Sequence, residues 1–567
     1  MSNLKVCIVG GVAGGASAAA RLRRLNEEAD ITIYERSGYI SYANCGLPYY
    51  IGGVIQEESA LTLQTPQSFS KRFHVQVNVL HEVTAIDPKN KTIRVHPLQG
   101  GEDFTDTYDK LILSPGARPF IPALPGIDSP QIFTLRTVED TLHINSWIQQ
   151  NQPRSAVVVG GGFIGLEMAE NLKRQGLAVT IVEQASHLLP PLDCDMACMV
   201  HDYLRQQGLT LKLGASVSGF AQHEKGLAIS LSDGSRLSSD MVVLSAGVQP
   251  ENGLAKSAGL KLGIKGSILV NANMQTSDPD IYAVGDAVEV LNPVTNQPAY
   301  VPLAGPANKQ GRIAAGHIAG INNGYQGSLG ASVVGLFGMT VAAVGVNESA
   351  AQRAGLSYDK VVTFSPHHAT YYPGANNMTI KTLYSPDTGA ILGAQLVGFD
   401  GVDKRCDILA TAIRHHLTGA DLAELELCYA PPYSSAKDPV NMAGFVIENI
   451  RSGLVRQYHW DDIPQLNGDN TVIQLDVRTP AEYAAGHIPG AISIPLDSLR
   501  ERLDELDPKK SIYVNCQSSL RSYIACRILS QHGFTCYNLS GGYRFYQIVT
   551  KENEFDSAAA HPCGVKL

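Results

Sequence analysis

The first apolar run of the chain reads Val6-Cys-Ile-Val-Gly10-Gly-Val-Ala-Gly-Gly15, so that four apolar residues lead directly into a glycine-rich turn. An alanine-rich segment, 16–25, and a second apolar run, Ile31-Thr-Ile-Tyr-Glu35, come next. This order predicts a strand–helix–strand unit in which the glycines allow a tight turn. Backbone N–H groups of such a turn bind a pyrophosphate, and a carboxylate such as Glu35 accepts hydrogen bonds from ribose hydroxyls. The middle fingerprint position is Val12, so this copy alone is a weak signal.

A second copy of the pattern is stronger. It reads Ala156-Val-Val-Val-Gly160-Gly-Gly162-Phe-Ile-Gly165 and has glycine at all three fingerprint positions. A helical segment, 166–175, and the run Val179-Thr-Ile-Val-Glu183 follow it. Two such units about 150 residues apart predict two dinucleotide sites in one chain.

Length and composition set the broad class. The chain has 567 residues, which corresponds to about three to five domains. With 44% hydrophobic and 17% charged residues it has ordinary globular composition, which excludes disordered, collagen-like and coiled-coil proteins. The formal net charge is −9 and there is no basic run, so nucleic-acid binding is not expected.

The ends and the cysteines predict a cytoplasmic protein. The N-terminus runs straight into a strand without the pattern of a signal peptide. The most apolar stretch, 331–346, is interrupted by glycines and is shorter than the roughly 20 residues of a membrane-spanning helix. Ten scattered cysteines do not resemble a disulfide framework. Because there is no CxxC pair, we expect no metal site, and we interpret Cys194 and Cys198 as packing residues of a helix.

Three further segments follow the fingerprints in a fixed order. They are Leu111-Ile-Leu-Ser-Pro-Gly116-Ala-Arg-Pro119, Val242-Val-Leu-Ser-Ala-Gly247-Val-Gln-Pro250 and Thr276-Ser-Asp-Pro-Asp-Ile-Tyr-Ala-Val-Gly285-Asp286. With both fingerprints, this set resembles the pyridine nucleotide-disulfide oxidoreductases that have two dinucleotide-binding domains. The resemblance covers about residues 1–445. It implies FAD at the first fingerprint, NAD(P)H at the second, and a Gly-Asp pair that holds the flavin ribityl chain.

The resemblance implies specific cofactor-binding residues. For FAD they are Gly10, Val12, Ala13, Gly15, Glu35, Arg36, Ser114, Gly116, Gly285 and Asp286. For NAD they are Gly160, Gly162, Gly165, Glu183 and Gly247. Because a carboxylate at position 183 suits a free ribose 2′-hydroxyl, we expect NADH to be used at least as well as NADPH, although NADPH stays open.

One cysteine decides the branch of the family. Cys45 lies in the segment Ser41-Tyr-Ala-Asn44-Cys45-Gly-Leu-Pro-Tyr-Tyr50. Glutathione-reductase-like members carry a second cysteine five residues after the first, and this chain has Tyr50 there. Cys45 therefore has to cycle alone, as a mixed disulfide, a persulfide or a sulfenic acid. It precedes a predicted short helix, 46–51, whose N-terminus is expected to lower the thiol pKa.

The single-cysteine branch contains NADH peroxidases and oxidases and also coenzyme A (CoA)-disulfide reductases. Peroxidases keep a histidine in the first glycine loop, and this loop has none. The segment 429–437 resembles the CoA-disulfide reductases, in which two tyrosines of the partner subunit meet the redox cysteine. We map these to Tyr371 and Tyr429, with Tyr372 and Tyr433 as alternatives. A phenol can protonate a departing CoA thiolate, and the mapping implies a homodimer.

CoA also needs cations for its phosphate groups. Arg21 and Arg24 follow the first glycine turn, and Lys71 lies further along the chain. We add Ser41 and Asn44, beside the redox cysteine, to the expected CoA site.

The C-terminal segment is a separate module. The runs Thr471-Val-Ile-Gln-Leu-Asp-Val-Arg478, Gly486-His-Ile-Pro-Gly-Ala491 and Cys516-Gln-Ser-Ser-Leu-Arg521 resemble a rhodanese domain over about residues 469–555. Successive N–H groups of such a loop stabilise a thiolate or persulfide at Cys516. The loop to Arg521 is one residue shorter than in cysteine phosphatases, which favours sulfur transfer. Ser519 stands where many relatives carry glycine.

The expected fold class is α/β, with two Rossmann-like dinucleotide-binding domains, an α+β dimerisation domain and a C-terminal α/β rhodanese domain. The expected bounds are 1–115 and 251–325 for FAD binding, 116–250 for NAD(P)H binding, 326–445 for dimerisation, 446–468 for a polar linker, and 469–567 for rhodanese.

Together the segments predict an FAD-dependent NAD(P)H reductase of CoA persulfide, CoA disulfide or polysulfide, coupled to a sulfurtransferase. We expect no nucleic acid partner and no membrane span. Two alternatives remain: an NADH oxidase or peroxidase with an appended rhodanese, and a sulfur carrier or sensor that is not a reductase. The sequence does not decide which sulfur acceptor is physiological or whether the rhodanese loads or unloads CoA.

Overall fold

The computed structural model describes residues 4–224, 226–552 and 563. These residues form two compact units. The first unit contains the residues up to 184 and 209–330, and the second contains 185–208 and the residues from 331 onward. The end of the expected rhodanese domain, 553–562 and 564–567, lies outside the described residues.

Short strands dominate the first three hundred residues. They are β1 Lys5–Val9, β2 Asp30–Glu35, β3 Gln76–Val79, β4 His81–Asp87, β5 Thr92–Pro97, β6 Phe104–Thr107, β7 Lys110–Leu113, β8 Ala117–Pro119, β9 Ile132–Thr134, β10 Ser155–Val159, β11 Ala178–Glu183, β12 Thr210–Leu213, β13 Val217–His223, β14 Gly226–Leu231, β15 Arg236–Ser239, β16 Met241–Leu244, β17 Val248–Pro250, β18 Ile281–Ala283, β19 Val290–Asn292 and β20 Gln297–Ala299. The later strands are β21 Ser332–Leu336, β22 Met339–Gly345, β23 Asp359–Pro366, β24 Asn377–Tyr384, β25 Ile391–Gly398, β26 Arg456–Tyr458, β27 Val472–Asp476, β28 Ile492–Ser493, β29 Ser511–Asn515 and β30 Cys536–Leu539.

The α-helices alternate with these strands. They are α1 Ala13–Leu25, α2 Leu47–Ile51, α3 Pro66–Phe73, α4 Val138–Asn151, α5 Phe163–Arg174, α6 Cys194–Gln206, α7 Gly253–Ser257, α8 Ala304–Ile318, α9 Glu348–Arg353, α10 Val402–Arg414, α11 Gly419–Glu424, α12 Pro439–Arg451, α13 Ile463–Leu466, α14 Pro480–Ala484, α15 Leu520–Gln531 and α16 Gly542–Lys551.

The first unit contains two parallel five-stranded sheets, ordered β18-β7-β1-β2-β3 and β12-β11-β10-β16-β9. Their central strands are short apolar runs that are buried, for example Val6 to Ile8 and Met241 to Leu244. Such runs suit strands covered on both faces. Two antiparallel three-stranded sheets, β4-β5-β6 and β13-β14-β15, complete the unit together with two short strand pairs.

Both fingerprint helices begin three residues earlier than the sequence predicts, at Ala13 and at Phe163. The reason is that the last fingerprint glycine already lies in the first helical turn, where it allows the helix to approach its strand closely. A Cβ at Gly15 would stand 1.9 Å from the carbonyl oxygen of Gly10. The glycine turns are therefore shorter than the sequence suggests.

The second unit contains an antiparallel sheet, β21-β22-β25-β24-β23, and a parallel sheet, β26-β30-β29-β27-β28. Strand β26 pairs with β30 and lies inside 446–468, the segment expected to be a polar linker. Helix α12 also extends into this segment. The parallel sheet thus begins before the runs that were quoted for the C-terminal module.

Within the described residues, no helix combines the length and the apolar character that a membrane crossing requires.

Candidate functional site

The first fingerprint forms a cradle for a pyrophosphate. Gly10 has φ +95°, and a Cβ there would lie 2.1 Å from the carbonyl oxygen of Ser114. Helix α1 follows Val12 without a side-chain cap, so the N–H groups of its first turn are directed to the open end of the helix. Val12 stands at this helix boundary in place of the middle glycine. Its φ is −98°, a value that does not require glycine. The backbone therefore fits the diphosphate of a dinucleotide despite the broken pattern.

Glu35 closes this cradle. Its carboxylate is buried and accepts hydrogen bonds from the N–H groups of Gly11 at 2.8 Å and Ser37 at 2.9 Å. Burial raises the pKa of Glu35, and these hydrogen bonds oppose the rise. The neighbouring Arg36 guanidinium lies 3.6 Å from Glu251. The carboxylate is thus fixed at the strand end where a ribose would lie.

The other expected FAD residues gather at the carboxyl ends of the same sheet. Gly116 and Gly285 both have positive φ angles, +73° and +80°. Burial raises the pKa of Asp286. The Tyr300 hydroxyl is buried and has no hydrogen-bond partner among the described residues, and burial followed by the Asp286 charge raises its pKa. A buried hydroxyl without a partner fits a polar cofactor group at this position.

The second fingerprint repeats this geometry. Gly160 has φ +114°, and a Cβ there would lie 2.3 Å from the carbonyl oxygen of Ser245. Helix α5 follows Gly162 without a side-chain cap. The Glu183 carboxylate accepts a hydrogen bond from the Gly161 N–H at 2.6 Å, as Glu35 does in the first copy. Two equivalent nucleotide cradles therefore lie in the first unit.

A cavity of about 470 Å³ opens beside the expected NAD residue Gly247. Its lining includes Phe120, Lys265 and Tyr300. Gly247 has φ +107° and open space at its Cβ position. The cavity therefore leaves room for a ligand group beside Gly247 and Tyr300.

Cys45 lies in a one-turn 3₁₀ segment, Asn44–Gly46, directly before α2. Its thiol is exposed, and so is Asn44. Ser41 has φ +46°, and its N–H donates to the carbonyl of Gly11, which joins this segment to the first fingerprint. The expected redox cysteine is therefore exposed at the surface in a segment that is hydrogen-bonded to the first fingerprint.

The expectation that the helix lowers the Cys45 pKa is wrong for the groups of this chain. Partial desolvation, followed by the carboxylates of Glu167 and Asp286, raises the pKa of Cys45. The helix that follows has only five residues, so its dipole is small. Desolvation of the thiol is the largest cause of the raised pKa, and two acids from distant parts of the chain add to it.

Glu167 was not found from the sequence and is part of this site. It lies on α5, two residues after the last glycine of the second fingerprint, and accepts a hydrogen bond from the Tyr49 hydroxyl at 3.2 Å. Burial raises the pKa of Glu167 to about 7. Helix α5 thus connects the NAD cradle to the segment that carries Cys45. A carboxyl with a pKa near neutrality can hold or release a proton beside this thiol.

Two of the expected CoA cations, Arg21 and Arg24, lie close enough for their charges to interact. Partial burial and the guanidinium groups of Arg312 and Arg24 lower the pKa of Arg21. The Arg21 Nε is buried without a hydrogen-bond partner among the described residues. Arg312, on α8, was not found from the sequence. Lys71 is exposed on α3. Crowded guanidinium groups with an unpaired donor fit a phosphate ligand.

Tyr371 and Tyr429 form a pair in the second unit. Their hydroxyl oxygens are 2.6 Å apart, and this hydrogen bond raises the pKa of Tyr371. The alternatives Tyr372 and Tyr433 are also exposed, but within the described residues no hydrogen bond joins their two hydroxyls. The pair chosen from the sequence is the one that shares a hydrogen bond.

Arg405 fixes the loops that carry these tyrosines. It is 1% exposed and pairs with Asp438 at 2.8 Å. Its Nη2 also donates to the carbonyl of His367 and to the Ser434 hydroxyl, both at 3.0 Å. These partners precede Tyr371 and follow Tyr433, so one buried cation ties both loops together.

The rhodanese loop connects β29 to α15 and begins at Cys516. Cys516 is buried, and the Ser522 hydroxyl donates to its Sγ at 3.3 Å. The carbonyls of Cys516 and Gln517 accept hydrogen bonds from N–H groups at the start of α16, at 2.7 and 3.1 Å. Since these carbonyls are satisfied on one side, the loop N–H groups can face the sulfur.

Two details of this loop are specific. Ser519 has φ +72°, a left-handed conformation that explains why glycine suits this position. Arg521 lies in α15 and pairs with Glu482 at 2.6 Å. Its guanidinium is thus held by Glu482, an acid to which the sequence analysis assigned no role.

Comparison with known proteins shows the family and the domains of the chain. Residues 4–311 match the pyridine nucleotide-disulphide oxidoreductase family, 332–439 match the dimerisation domain of that family, and 460–548 match the rhodanese-like domain. A coenzyme A disulfide reductase of Staphylococcus haemolyticus is 38% identical over 447 residues, which are 79% of this chain and all of the relative.

Three solved structures are similar to this chain. The reduced CoADR-RHD protein of Bacillus anthracis has 48% identity and a TM-score of 0.95, with 97% of this chain and 99% of that chain covered. A NAD-dependent persulfide reductase from A. fulgidus has 37% identity and a TM-score of 0.89, with 96% and 100% covered. A water-forming NADH oxidase of Lactobacillus brevis has 28% identity and a TM-score of 0.76, and it covers 80% of this chain and 100% of its own.

The expected fold class is confirmed, including the C-terminal rhodanese domain. The expected enzyme class and the expected cofactors, FAD and NAD(P)H, are confirmed as well. The chain belongs to the pyridine nucleotide-disulphide oxidoreductase family and carries a rhodanese-like domain at its C-terminal side.

Proposed function

We propose that this chain is an FAD-dependent NAD(P)H reductase of the sulfur–sulfur bond in CoA persulfide or CoA disulfide, coupled to a rhodanese sulfurtransferase. One observation carries the proposal. The redox position holds a single exposed thiol, Cys45, and Tyr50 stands where a second cysteine would be needed. Any sulfur–sulfur bond formed at Cys45 must therefore take its second sulfur from the substrate. Relatives named coenzyme A disulfide reductase and persulfide reductase support this substrate class.

Cys45 performs the covalent step. Its thiolate attacks one sulfur of the substrate, forms an enzyme–substrate S–S bond and releases the other sulfur as CoA thiolate or hydrosulfide. When bound, FAD and NADH supply the two electrons that reduce this bond and restore the Cys45 thiolate. Burial raises the pKa of Glu167 to about 7, so this carboxyl can hold or release a proton beside the site near neutral pH.

The cofactor positions follow the two cradles. Residues 1–115 and 251–325 bind FAD, and 116–250 bind NAD(P)H. The Glu183 carboxylate would accept a hydrogen bond from a ribose 2′-hydroxyl and repel a 2′-phosphate. We expect kcat/KM for NADH to be at least equal to that for NADPH. A tenfold preference for NADPH would contradict this assignment of Glu183.

The CoA phosphates bind the cation face formed by Arg21, Arg24 and Arg312, with Lys71 at its edge. The buried, unpaired Nε of Arg21 supports this assignment. Ser41 and Asn44 lie in the segment of Cys45, where the pantetheine arm of CoA would end.

The functional unit is a homodimer formed through residues 326–445. In it, the Tyr371–Tyr429 pair of one protomer completes the Cys45 site of its partner. The hydrogen bond between the two phenols supports a shared task, which is to protonate the departing thiolate. An active monomer in light scattering would contradict the dimer. We assign the enzyme to the cytoplasm, where its ten free cysteines would stay reduced.

The rhodanese domain supplies or removes sulfane sulfur. The Cys516 thiolate takes a terminal sulfur from a polysulfide and becomes a persulfide, and the shortened polysulfide leaves as the thiolate. The CoA thiol then attacks the outer sulfur, which yields CoA persulfide and returns Cys516 to the thiol. The Ser522 hydroxyl bond and the loop N–H groups support a charged sulfur at Cys516.

Two single-atom variants test this division of labour. Cys45→Ser should reduce NADH-driven turnover of every sulfur acceptor by orders of magnitude and leave flavin reduction by NADH intact. Cys516→Ser should abolish polysulfide-to-thiol transfer and leave reduction of preformed CoA persulfide intact. Polysulfide reduction with catalytic CoA should then fall as well. If Cys516→Ser kept that last rate at the wild-type value, the rhodanese would serve a different partner.

The oxidase or peroxidase alternative is not favoured. The similarity to an NADH oxidase is 28%, below that to the sulfur-active relatives, and the loop Gly10–Gly15 contains no histidine.

A further inference from the structure

Three cysteines with no part in either proposed reaction lie together in the second unit. Cys194 and Cys198 are four residues apart on α6, so their side chains lie on the same helix face. Cys563 joins them from the C-terminal end of the chain. The three Sγ atoms all lie within 4.8 Å of one another. We call this group the thiol triad.

The spacing of the triad suits a metal ion. Two thiolates bound to one tetrahedral zinc ion at about 2.3 Å have their sulfurs about 3.8 Å apart. Sulfurs within 4.8 Å reach that arrangement by small side-chain rotations. A disulfide would join only two of the three and leave the third unused.

The surroundings of the triad form an ordered outer layer. His201, one turn after Cys198, is fully buried, and its Nε2 accepts a hydrogen bond from the Leu188 N–H at 3.1 Å. Its Nδ1 lies 3.1 Å from Glu552, which also pairs with Arg205 at 2.7 Å. Both ring nitrogens of His201 are thus occupied. The protein supplies three sulfur ligands, and the fourth position is open to water or another small ligand.

The nearby carboxylates do not compete for a cation. Asp193 and Asp195 precede and follow Cys194, but both pair with the buried ammonium of Lys381, at 2.9 and 2.7 Å. Glu348 contacts the same ammonium at 2.5 Å. This acidic group already has its cation, whereas the triad presents sulfur atoms, which select zinc-like ions over magnesium or calcium.

A metal ion in solution also has access to the thiol triad. Cys198 is buried, while Cys194 and Cys563 are partly exposed, so an ion can reach the sulfurs from solvent.

We propose that Cys194, Cys198 and Cys563 form a binding site for one zinc-class cation, with three thiolate ligands and a fourth position open to solvent. Each coordinating thiol releases its proton to solvent, so binding strengthens as pH rises. The bound ion would fasten Cys563 to helix α6.

The test uses the full-length, reduced, flavin-containing protein with Cys45→Ser and Cys516→Ser, which removes the two reactive thiols. Zn²⁺ is titrated against a coloured chelator, and Co²⁺ is used to record a thiolate-to-metal charge-transfer band. We expect one equivalent of tight metal per chain and a Co²⁺ band typical of several thiolates.

Adding Cys194→Ser or Cys563→Ser should weaken zinc binding by more than about tenfold. Changes to residues that only surround the ligands already cost about tenfold at metal sites, and these variants remove a ligand. Both residues are partly exposed, so these variants should fold. Cys428→Ser, at another exposed cysteine, is the matched control and should keep the full equivalent. No tight equivalent in the parent protein, or undiminished binding in both triad variants, would overturn the proposal.

Discussion

Replacement of Gly165 by alanine perturbs the closest approach of helix α5 to its strand. The added Cβ would stand 2.0 Å from the carbonyl oxygen of Gly160 and 2.7 Å from the Ser245 hydroxyl. Non-bonded heavy atoms need roughly 3.5 Å, so the helix start has to move by more than about 1 Å. That start carries the N–H groups of the proposed NADH pyrophosphate site. A misplacement of about 1 Å can cost on the order of 100-fold in rate.

The assay is anaerobic rapid mixing of the holoenzyme with NADH, followed by flavin absorbance. We expect the second-order rate of flavin reduction to fall by about 100-fold, which equals about 2.7 kcal/mol. The FAD content should stay at one per chain, because the first cradle is unchanged. The control is Gly176→Ala, where φ is +89° and nothing lies within 4 Å of the new Cβ. It should cost about 1–2 kcal/mol of stability and leave NADH use unchanged. If Gly165→Ala reduced its flavin at the wild-type rate and KM, the second cradle would not be the NADH site.

Two further substitutions test the site residues. Glu167→Gln removes a carboxylate that raises the Cys45 pKa, so the pH midpoint for alkylation of this thiol should move to lower pH. The control Glu102→Gln, on the surface, should leave the midpoint unchanged. An unchanged or higher alkylation midpoint in Glu167→Gln would contradict the placement of this acid. Gly542→Ala should abolish sulfur transfer, because its Cβ would lie 2.6 Å from the Cys516 carbonyl oxygen at φ +64°. The control is Gly533→Ala, because Gly533 has φ +88° and open space at its Cβ position. This control should lose only about 1–2 kcal/mol of stability through backbone strain. Equal losses of transferase activity in the two variants would refute the packing argument.

The two nucleotide cradles could be predicted from the sequence because each is a local strand–turn–helix–strand unit. The glycines, the strand and the closing acid lie within about 30 residues of one another, a typical length for such units. The same holds for the rhodanese loop, where Cys516 and Arg521 belong to one strand-to-helix turn. Local spacing therefore predicted the two cradles and the rhodanese loop, while the cofactors and the two reactive cysteines were predicted with the help of the family resemblance.

The electrostatics around Cys45 could not be predicted in this way. The short helix after the cysteine is a local feature and indicated a lowered pKa. The acids that raise the pKa, Glu167 and Asp286, are distant in sequence and arrive only when the dinucleotide-binding parts pack together. Arg312 reaches the Arg21 face in the same manner, through the packing of α8 on α1.

The thiol triad shows the same limit. Cys194 and Cys198 alone indicate two packing residues on a helix, because a metal site needs more ligands than one helix turn provides. The third sulfur, that of Cys563, lies near the end of the chain and has no spacing relation to the first two. Only the structure places these atoms within 4.8 Å of one another.

The central claim is that a single cysteine reduces a sulfur–sulfur bond that the substrate brings. The most direct measurement is anaerobic NADH oxidation by the wild-type protein and by Cys45→Ser, with CoA persulfide, CoA disulfide and polysulfide as acceptors and with peroxide and oxygen as controls. We expect a CoA-linked sulfur acceptor to give the highest kcat/KM and Cys45→Ser to lose that activity by orders of magnitude. Faster turnover with peroxide or oxygen than with any sulfur acceptor, or full activity of Cys45→Ser, would contradict the account.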